Sequence, residues 1–236
     1  MTLTRHTLKV VKEQPASDPP ALDPIDPDEF IAAVQPLLEK QDSQGLLAFI
    51  KSRWSCDQIR ALLASDHTDA KKVALLAVGL VAEPKCIPDL AKHLRDSDRV
   101  INEVAEHAMW LIWFRSGTPQ ANHELARGAQ AIERKDFEHA IMHFDRAIAH
   151  CPDFPEPYNQ KAIALYLLER YDESIKLAKQ AVERMPWHFG ALAGMGHCYQ
   201  HLDRPREAIE SYEKALAINP HLDCIRQTIS HLRESL

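Results

Sequence analysis

From Asp26 onward the apolar residues recur every three or four positions, the spacing of one helical face. Phe30, Val34, Leu37 and Leu38 form the first such stripe, with Asp26 placed as N-cap and Pro27 at the first helical position. Pro36 is expected to kink or shorten this helix. A second stripe, Leu46, Leu47, Phe49 and Ile50, predicts a helix ending near Trp54. Between Ser55 and Gly117 the pattern returns after 31 residues: Leu63 falls on Leu94, Val73 on Val104, Ala74 on Ala105, Ala77 on Ala108, Leu80 on Leu111 and Val81 on Ile112. Small and aliphatic residues on one face let repeated helix pairs stack closely. Ser65-Asp66 and Asp96-Ser97-Asp98 precede the apolar helices as capping segments. Ahead of all this, Pro15, Pro19, Pro20, Pro24 and Pro27 with Asp18, Asp23 and Asp26 predict an extended, solvated leader, in which Leu8, Val10 and Val11 could form a short strand or a docking peptide.

A second ruler covers the rest of the chain. Pro152, Pro186 and Pro220 are 34 residues apart, the length of one helix–turn–helix unit. With proline set at position 32 of each unit, position 8 holds Gly128, Ala162 and Gly196. Position 20 holds Ala140, Ser174 and Ala208, and position 27 holds Ala147, Ala181 and Ala215. Position 24 holds Phe144 and Tyr212 but Ala178 in the middle unit. Small residues at 8, 20 and 27 permit close helix approach, and a large residue at 24 fills the space so made. This pattern resembles the tetratricopeptide repeat. Position 4, often Trp in that family, is Glu124, Tyr158 and Leu192, so the first unit departs most. The 31-residue pattern upstream resembles HEAT-like repeats of the short type related to phycobilisome-lyase subunits.

These resemblances imply an all-α, right-handed α-solenoid of stacked helical hairpins. The expected divisions are a flexible tail at 1–27, HEAT-like helices at 28–117, three tetratricopeptide repeats within 118–220 (121–154, 155–188 and 189–222 by register) and a closing helix at 221–236. In the closing helix Leu222, Ile225, Ile229 and Leu232 share a face, with Arg226, Arg233 and Glu234 outward.

Composition narrows the function. The chain is 45% apolar and 26% charged, with net charge −6, which suits a globular protein and speaks against a general nucleic-acid binder. Five widely spaced cysteines without a CxxC pair read as free thiols in a reducing compartment. No apolar run is long enough to span a bilayer, and Met1 to Lys12 lacks a signal-peptide core, so a cytoplasmic location is expected. There is no GxGxxG, P-loop, GxSxG or HExxH, so no enzymatic activity and no cofactor are expected. His139 and His143, and His197 and His201, are spaced four apart, but neither pair has a third ligand for a metal.

In the tetratricopeptide family, partners lie along the groove lined by the first helix of each repeat. Carried over by position, that surface comprises Asn122, Leu125 and Ile132 from the first repeat, Asn159, Ile163 and Tyr166 from the second, His197, Gln200 and His201 from the third, and Gln227 from the closing helix. One sub-class clamps the C-terminal carboxylate of heat-shock chaperones with Lys, Asn and Arg. The corresponding places here hold Leu125, Ala129, Gln160, Gly190 and Gly194, so that clamp is missing. Trp110, Trp113 and Phe114 at the junction of the two repeat types are expected to pack between them. The resemblance therefore implies a non-enzymatic scaffold or adaptor for a protein or peptide, with neither nucleic acid nor membrane as partner. The alternatives are an accessory subunit or lyase-like factor for a cofactor-bearing protein, acting through the HEAT-like part, and a helical-repeat nucleic-acid binder.

Overall fold

A computed structural model describes residues 23–40 and 42–236. The expectations for most of the proline-rich leader, including Leu8, Val10 and Val11, lie outside the described residues. Everything regular among those described is helical. Helix α1 (Pro27–Glu39) starts as its sequence requires: the Asp26 carboxylate accepts the Glu29 amide at 2.9 Å, and Pro27 needs no partner for a missing N–H. The helix runs past Pro36 to Glu39 instead of ending there. Only one turn follows the proline, so the lost backbone bond is its main cost.

Helix α2 (Ser43–Arg53) stops at Trp54, whose ring meets Phe30 at 5.0 Å and Phe49 at 5.7 Å. Helix α3 (Cys56–Ala61) opens on a reciprocal Ser55–Gln58 capping box. Helices α4 (Thr68–Val81), α5 (Ile87–His93) and α6 (Arg99–Arg115) complete the N-terminal block. The starts of α4 and α6 differ by the expected 31 residues (99 − 68). Asp98 caps α6 through the Val100 amide at 2.8 Å. The cap of α4 is His67, not the expected Ser65-Asp66; its Nδ1 accepts the Ala70 amide at 3.3 Å, while Ser65 Oγ accepts the His67 amide.

Small residues bring α4 and α6 together. A Cβ at Gly79 would lie 2.8 Å from the Ala108 backbone, so that crossing admits glycine only. Arg115 then reaches back and donates to the Gly79 carbonyl at 2.9 Å and to the Ala82 carbonyl, satisfying the end of α4.

Six further helices form three hairpins: α7 (Pro119–Glu133) with α8 (Phe137–His150), α9 (Pro155–Leu167) with α10 (Tyr171–Arg184), and α11 (Phe189–His201) with α12 (Pro205–Ile218). The second helices begin at 137, 171 and 205, steps of 34. The turns also repeat, because the three non-glycine residues with positive φ among the described residues are Lys135, Glu169 and Asp203, again 34 apart. Helix α13 (Asp223–Glu234) follows and buries Ile225 and Ile229.

The repeats are built on size complementarity. In the first hairpin a Cβ at Gly128 would lie 2.3 Å from the Phe144 ring, and in the third a Cβ at Gly196 would lie 2.3 Å from the Tyr212 ring. In the middle hairpin both partners are alanine, Ala162 and Ala178. Most of the core is one apolar cluster running from Phe30 through α6 to Ile229; a second, under α7 and α8, holds Ala121, Leu125, Ala131, Ala140, Phe144, Phe154 and Ala164.

Two substitutions on α11 should therefore act in opposite directions. Gly196→Ala drives a methyl into the Tyr212 ring and should lower stability by about 1–3 kcal/mol. Gly194→Ala meets nothing within 4 Å and should raise stability by up to ~1 kcal/mol, through helix propensity alone. Urea denaturation of the two variants checks both signs.

Candidate functional site

The first helices of the hairpins, α7, α9 and α11, lie side by side, α7 against α9 and α9 against α11, on the face where the sequence places the groove. Its polar rim begins with histidine and tyrosine. Tyr212 donates its hydroxyl proton to Gln200 Oε1 at 3.0 Å, so the 2.8 Å contact to His197 is a donation from His197 Nδ1 to the hydroxyl oxygen. Tyr166 OH and His201 Nε2 are 2.9 Å apart, and His201 stacks on Tyr171 with ring centroids 4.8 Å apart and planes 8° from parallel. Partial desolvation of its ring, with His201 close by, pushes the His197 pKa down. Burial also pushes Tyr166 and the Cys198 thiol up. These groups therefore carry no charge near neutrality.

Beneath the rim lies a cavity of about 310 Å³ between α9, α10 and α11. Asn159, Ile163, Tyr166 and His197 line it together with Leu167, Gly190 and Gly194, and Ala162, Ser174 and Ala178 form its inner wall. Ile163 is 37% exposed and Leu167 43%, so the mouth presents two large aliphatic side chains on successive turns. Ser174 Oγ donates to the Ala162 carbonyl at 2.7 Å and accepts from the Cys198 thiol at 3.2 Å, which leaves the inner wall effectively apolar.

Of the ten groove residues expected from the sequence, four line this cavity, Asn159, Ile163, Tyr166 and His197. Gln200 and His201 stand beside it on α11. Gln227 is exposed on α13, and Ile132 is half-buried against the second core. Two expectations are corrected. Leu125 is 1% exposed and belongs to the core with Phe144 and Phe154, because the small Gly128 draws that ring under α7. Asn122 is consumed by the α6–α7 turn: its amide donates to the Arg115 and Gly117 carbonyls and accepts the Gly117 amide, each at 3.1 Å. His143 meets Glu124 at 2.7 Å, and that hydrogen bond holds the Glu124 carboxylate below its usual range. The sequence signal for the cavity was Ala178, the one departure from a large residue at position 24.

One side of the groove is closed by the N-terminal block. Trp113 is fully buried and stacks on His188, centroids 4.2 Å apart and planes at 8°. Trp110 packs edge-on against Trp113 and Phe189 and lies against Gly190. His188 Nδ1 accepts the Ala191 amide at 3.1 Å, which places the ring proton on Nε2 for donation to Glu156 Oε2 at 2.8 Å. Glu156 also accepts from Asn159 at 3.2 Å and Gln160 at 2.7 Å, and it sits in the first turn of α9, where the helix dipole favours an anion. Both Glu156 and His188 are fully buried. Further along, Arg95 donates to the Ala217 carbonyl and Asn219 donates to Glu106 at 3.0 Å. Among the described residues no three His, Cys, Asp or Glu side chains gather as a metal-binding group, and no helix is long and apolar enough to cross a membrane.

His188→Ala should cost about 1.5–3 kcal/mol, because it removes one of the three N–H donors to the buried Glu156 carboxylate; thermal denaturation beside wild type measures it. The depressed pKa of His197, and that of His93, lowered chiefly by burial and then by Lys71, set a pH dependence. Below the ordinary value of 6.5 the unfolded chain takes up protons that the folded chain resists. Stability should be complete above that pH and fall as pH drops through it. His197→Gln should flatten the decline between pH 7 and pH 5 in urea midpoints.

The family model described as tetratricopeptide repeat matches residues 190–222. A TPR repeat-containing protein of Rhizobium etli is 28% identical over 148 residues, covering 61% of this chain and 70% of that protein. Sperm-associated antigen 1 of Mus musculus is 28% identical over 116 residues, 49% of this chain; the chain spans only 13% of that protein's length. Among solved structures, the Sgt2 TPR domain from Aspergillus fumigatus has 20% identity and a TM-score of 0.48, covering 50% of this chain and 80% of that one. The first TPR of Spaghetti, bound to an HSP90 peptide, has 17% identity and a TM-score of 0.48, covering 49% and 92%. The match to the tetratricopeptide model falls on one hairpin, α11 with α12, and the similarity to the Rhizobium etli protein extends over 148 residues.

Proposed function

We propose that the chain is a non-enzymatic scaffold or adaptor that holds a partner protein in the groove of its tetratricopeptide repeats. The observation that carries this reading is the open cavity at Asn159, Ile163, Tyr166 and His197, rimmed by exposed aliphatic and imidazole groups on the surface where repeats of this kind engage peptides. In this reading residues 28–117 form HEAT-like repeats that brace the array. The working boundary falls at the turn held by Asn122, followed by repeats to residue 220 and a closing helix. The free thiols accord with a cytoplasmic setting.

Solved tetratricopeptide domains are known in complex with an HSP90 peptide and with an HSP70 peptide. That ligand class does not suit this groove. A terminal carboxylate needs cationic partners, whereas the corresponding positions hold Leu125, which is buried, and the uncharged Ala129, Gln160, Gly190 and Gly194. The partner is instead one recognised through apolar and neutral polar contacts.

Crosslinking pull-down with quantitative mass spectrometry tests the proposal. Ile163→Ala with Tyr166→Ala should reduce recovery of specific partners at least tenfold. Met142→Ala, at an exposed position on α8, should leave recovery unchanged. Equal recovery by the groove variant would sink the reading.

A further inference from the structure

Building on the groove-binding reading, we propose that the cavity between α9, α10 and α11 receives one tryptophan or tyrosine side chain from an uncharged internal segment of the partner. Three independent features specify that occupant.

The first is the missing ring. In the first and third hairpins an aromatic side chain, Phe144 or Tyr212, fills the space between the two helices and lies against a glycine. In the middle hairpin Ala178 stands at that place, opposite Ala162, and both alanines line the cavity. A partner's ring entering from the groove occupies the space that a side chain of the chain itself occupies in the neighbouring repeats. Tyr212 shows that the tip of such a ring can find polar company here, since its hydroxyl reaches His197 and Gln200.

The second is Asn159. It is 3% exposed and lines the cavity. Its Nδ2 donates to Glu156, but its Oδ1 accepts no hydrogen bond among the described residues. That acceptor is open to a donor entering the cavity. An indole N–H or a phenol O–H on an otherwise apolar ring supplies that donor, and aliphatic side chains do not.

The third is Gly194. Glycine inside a helix is unfavourable, and here no packing demands it: a Cβ would meet nothing within 4 Å, and φ is not positive. What its absent side chain provides is the open mouth of the cavity. The lining carries no Lys, Arg, Asp or Glu, and Trp110 lies against Gly190 at one end. A charged side chain or a terminal carboxylate would be desolvated there without a partner. The segment that enters is therefore uncharged where it touches and continues in both directions.

The test uses two displayed libraries of about twelve random residues, one fused at both ends and one with a free C-terminus. Selection on wild-type protein should enrich tryptophan or tyrosine at a fixed position in the doubly fused library. A selected peptide, acetylated and amidated, should lose at least tenfold in affinity when its aromatic residue becomes leucine. It should lose as much on Gly194→Leu, which fills the cavity from the mouth, and on Ala162→Gly with Ala178→Phe, which fills it from the inner wall. The Gly194→Leu protein should melt no lower than wild type. Enrichment of sequences without these aromatics, enrichment only with a free C-terminus, or unchanged affinity in both filled variants would overturn the cavity assignment while leaving groove binding standing. Failure of both libraries to enrich anything overturns both.

Discussion

The buried Glu156–His188 pair under the Trp113 ring is the constraint on which the rest of the arrangement turns. It joins three elements of distant sequence: α6 supplies the indole, the loop before α11 supplies the imidazole, and the first turn of α9 supplies the carboxylate. A carboxylate withdrawn wholly from water is tolerable only with its acceptors filled and its charge opposed. Three N–H donors and the end of a helix do that here. The Trp113 ring covers the pair, so the N-terminal block cannot shift on the repeat array without uncovering it. The rigid side of the groove is made by this polar knot, and the open side by the apolar cavity two turns away.

Within the array, helix spacing follows a simple rule of volumes. Glycine at one position accepts a ring at another, and alanine accepts alanine. The two solutions hold neighbouring helices at compatible distances but differ in what they leave empty. The glycine–aromatic hairpins are filled from within. The alanine–alanine hairpin keeps a void that opens on the groove.

Much of this was legible in the sequence, for identifiable reasons. The 34-residue step and the small residues at fixed positions encode backbone approach, which sequence pattern reports directly. Asp26 and Asp98 as caps were readable because capping is local. What escaped were consequences of long-range packing. Leu125 has the register of a groove residue, yet the core claims it because Phe144 is drawn beneath α7. Asn122 is spent on a turn that forms only when α6 and α7 meet. The partnership of Glu156 with His188, 32 residues apart, has no local signature. Ala178 was visible as a broken rule, but whether a missing ring means collapse or a cavity depends on how firmly the neighbours are held.

The left-handed residues at the hairpin turns have a mechanical consequence. Lys135, Glu169 and Asp203 set the same sharp reversal three times, with side chains that resist that conformation more than glycine would. Such turns act as stiff hinges with a single angle, where glycine would make soft ones. A stack of helix pairs joined this way and strapped along one edge by α6 behaves less like a spring and more like a moulded shell. A guest entering it finds its seat already shaped, and little of the binding energy is lost in setting the host in order.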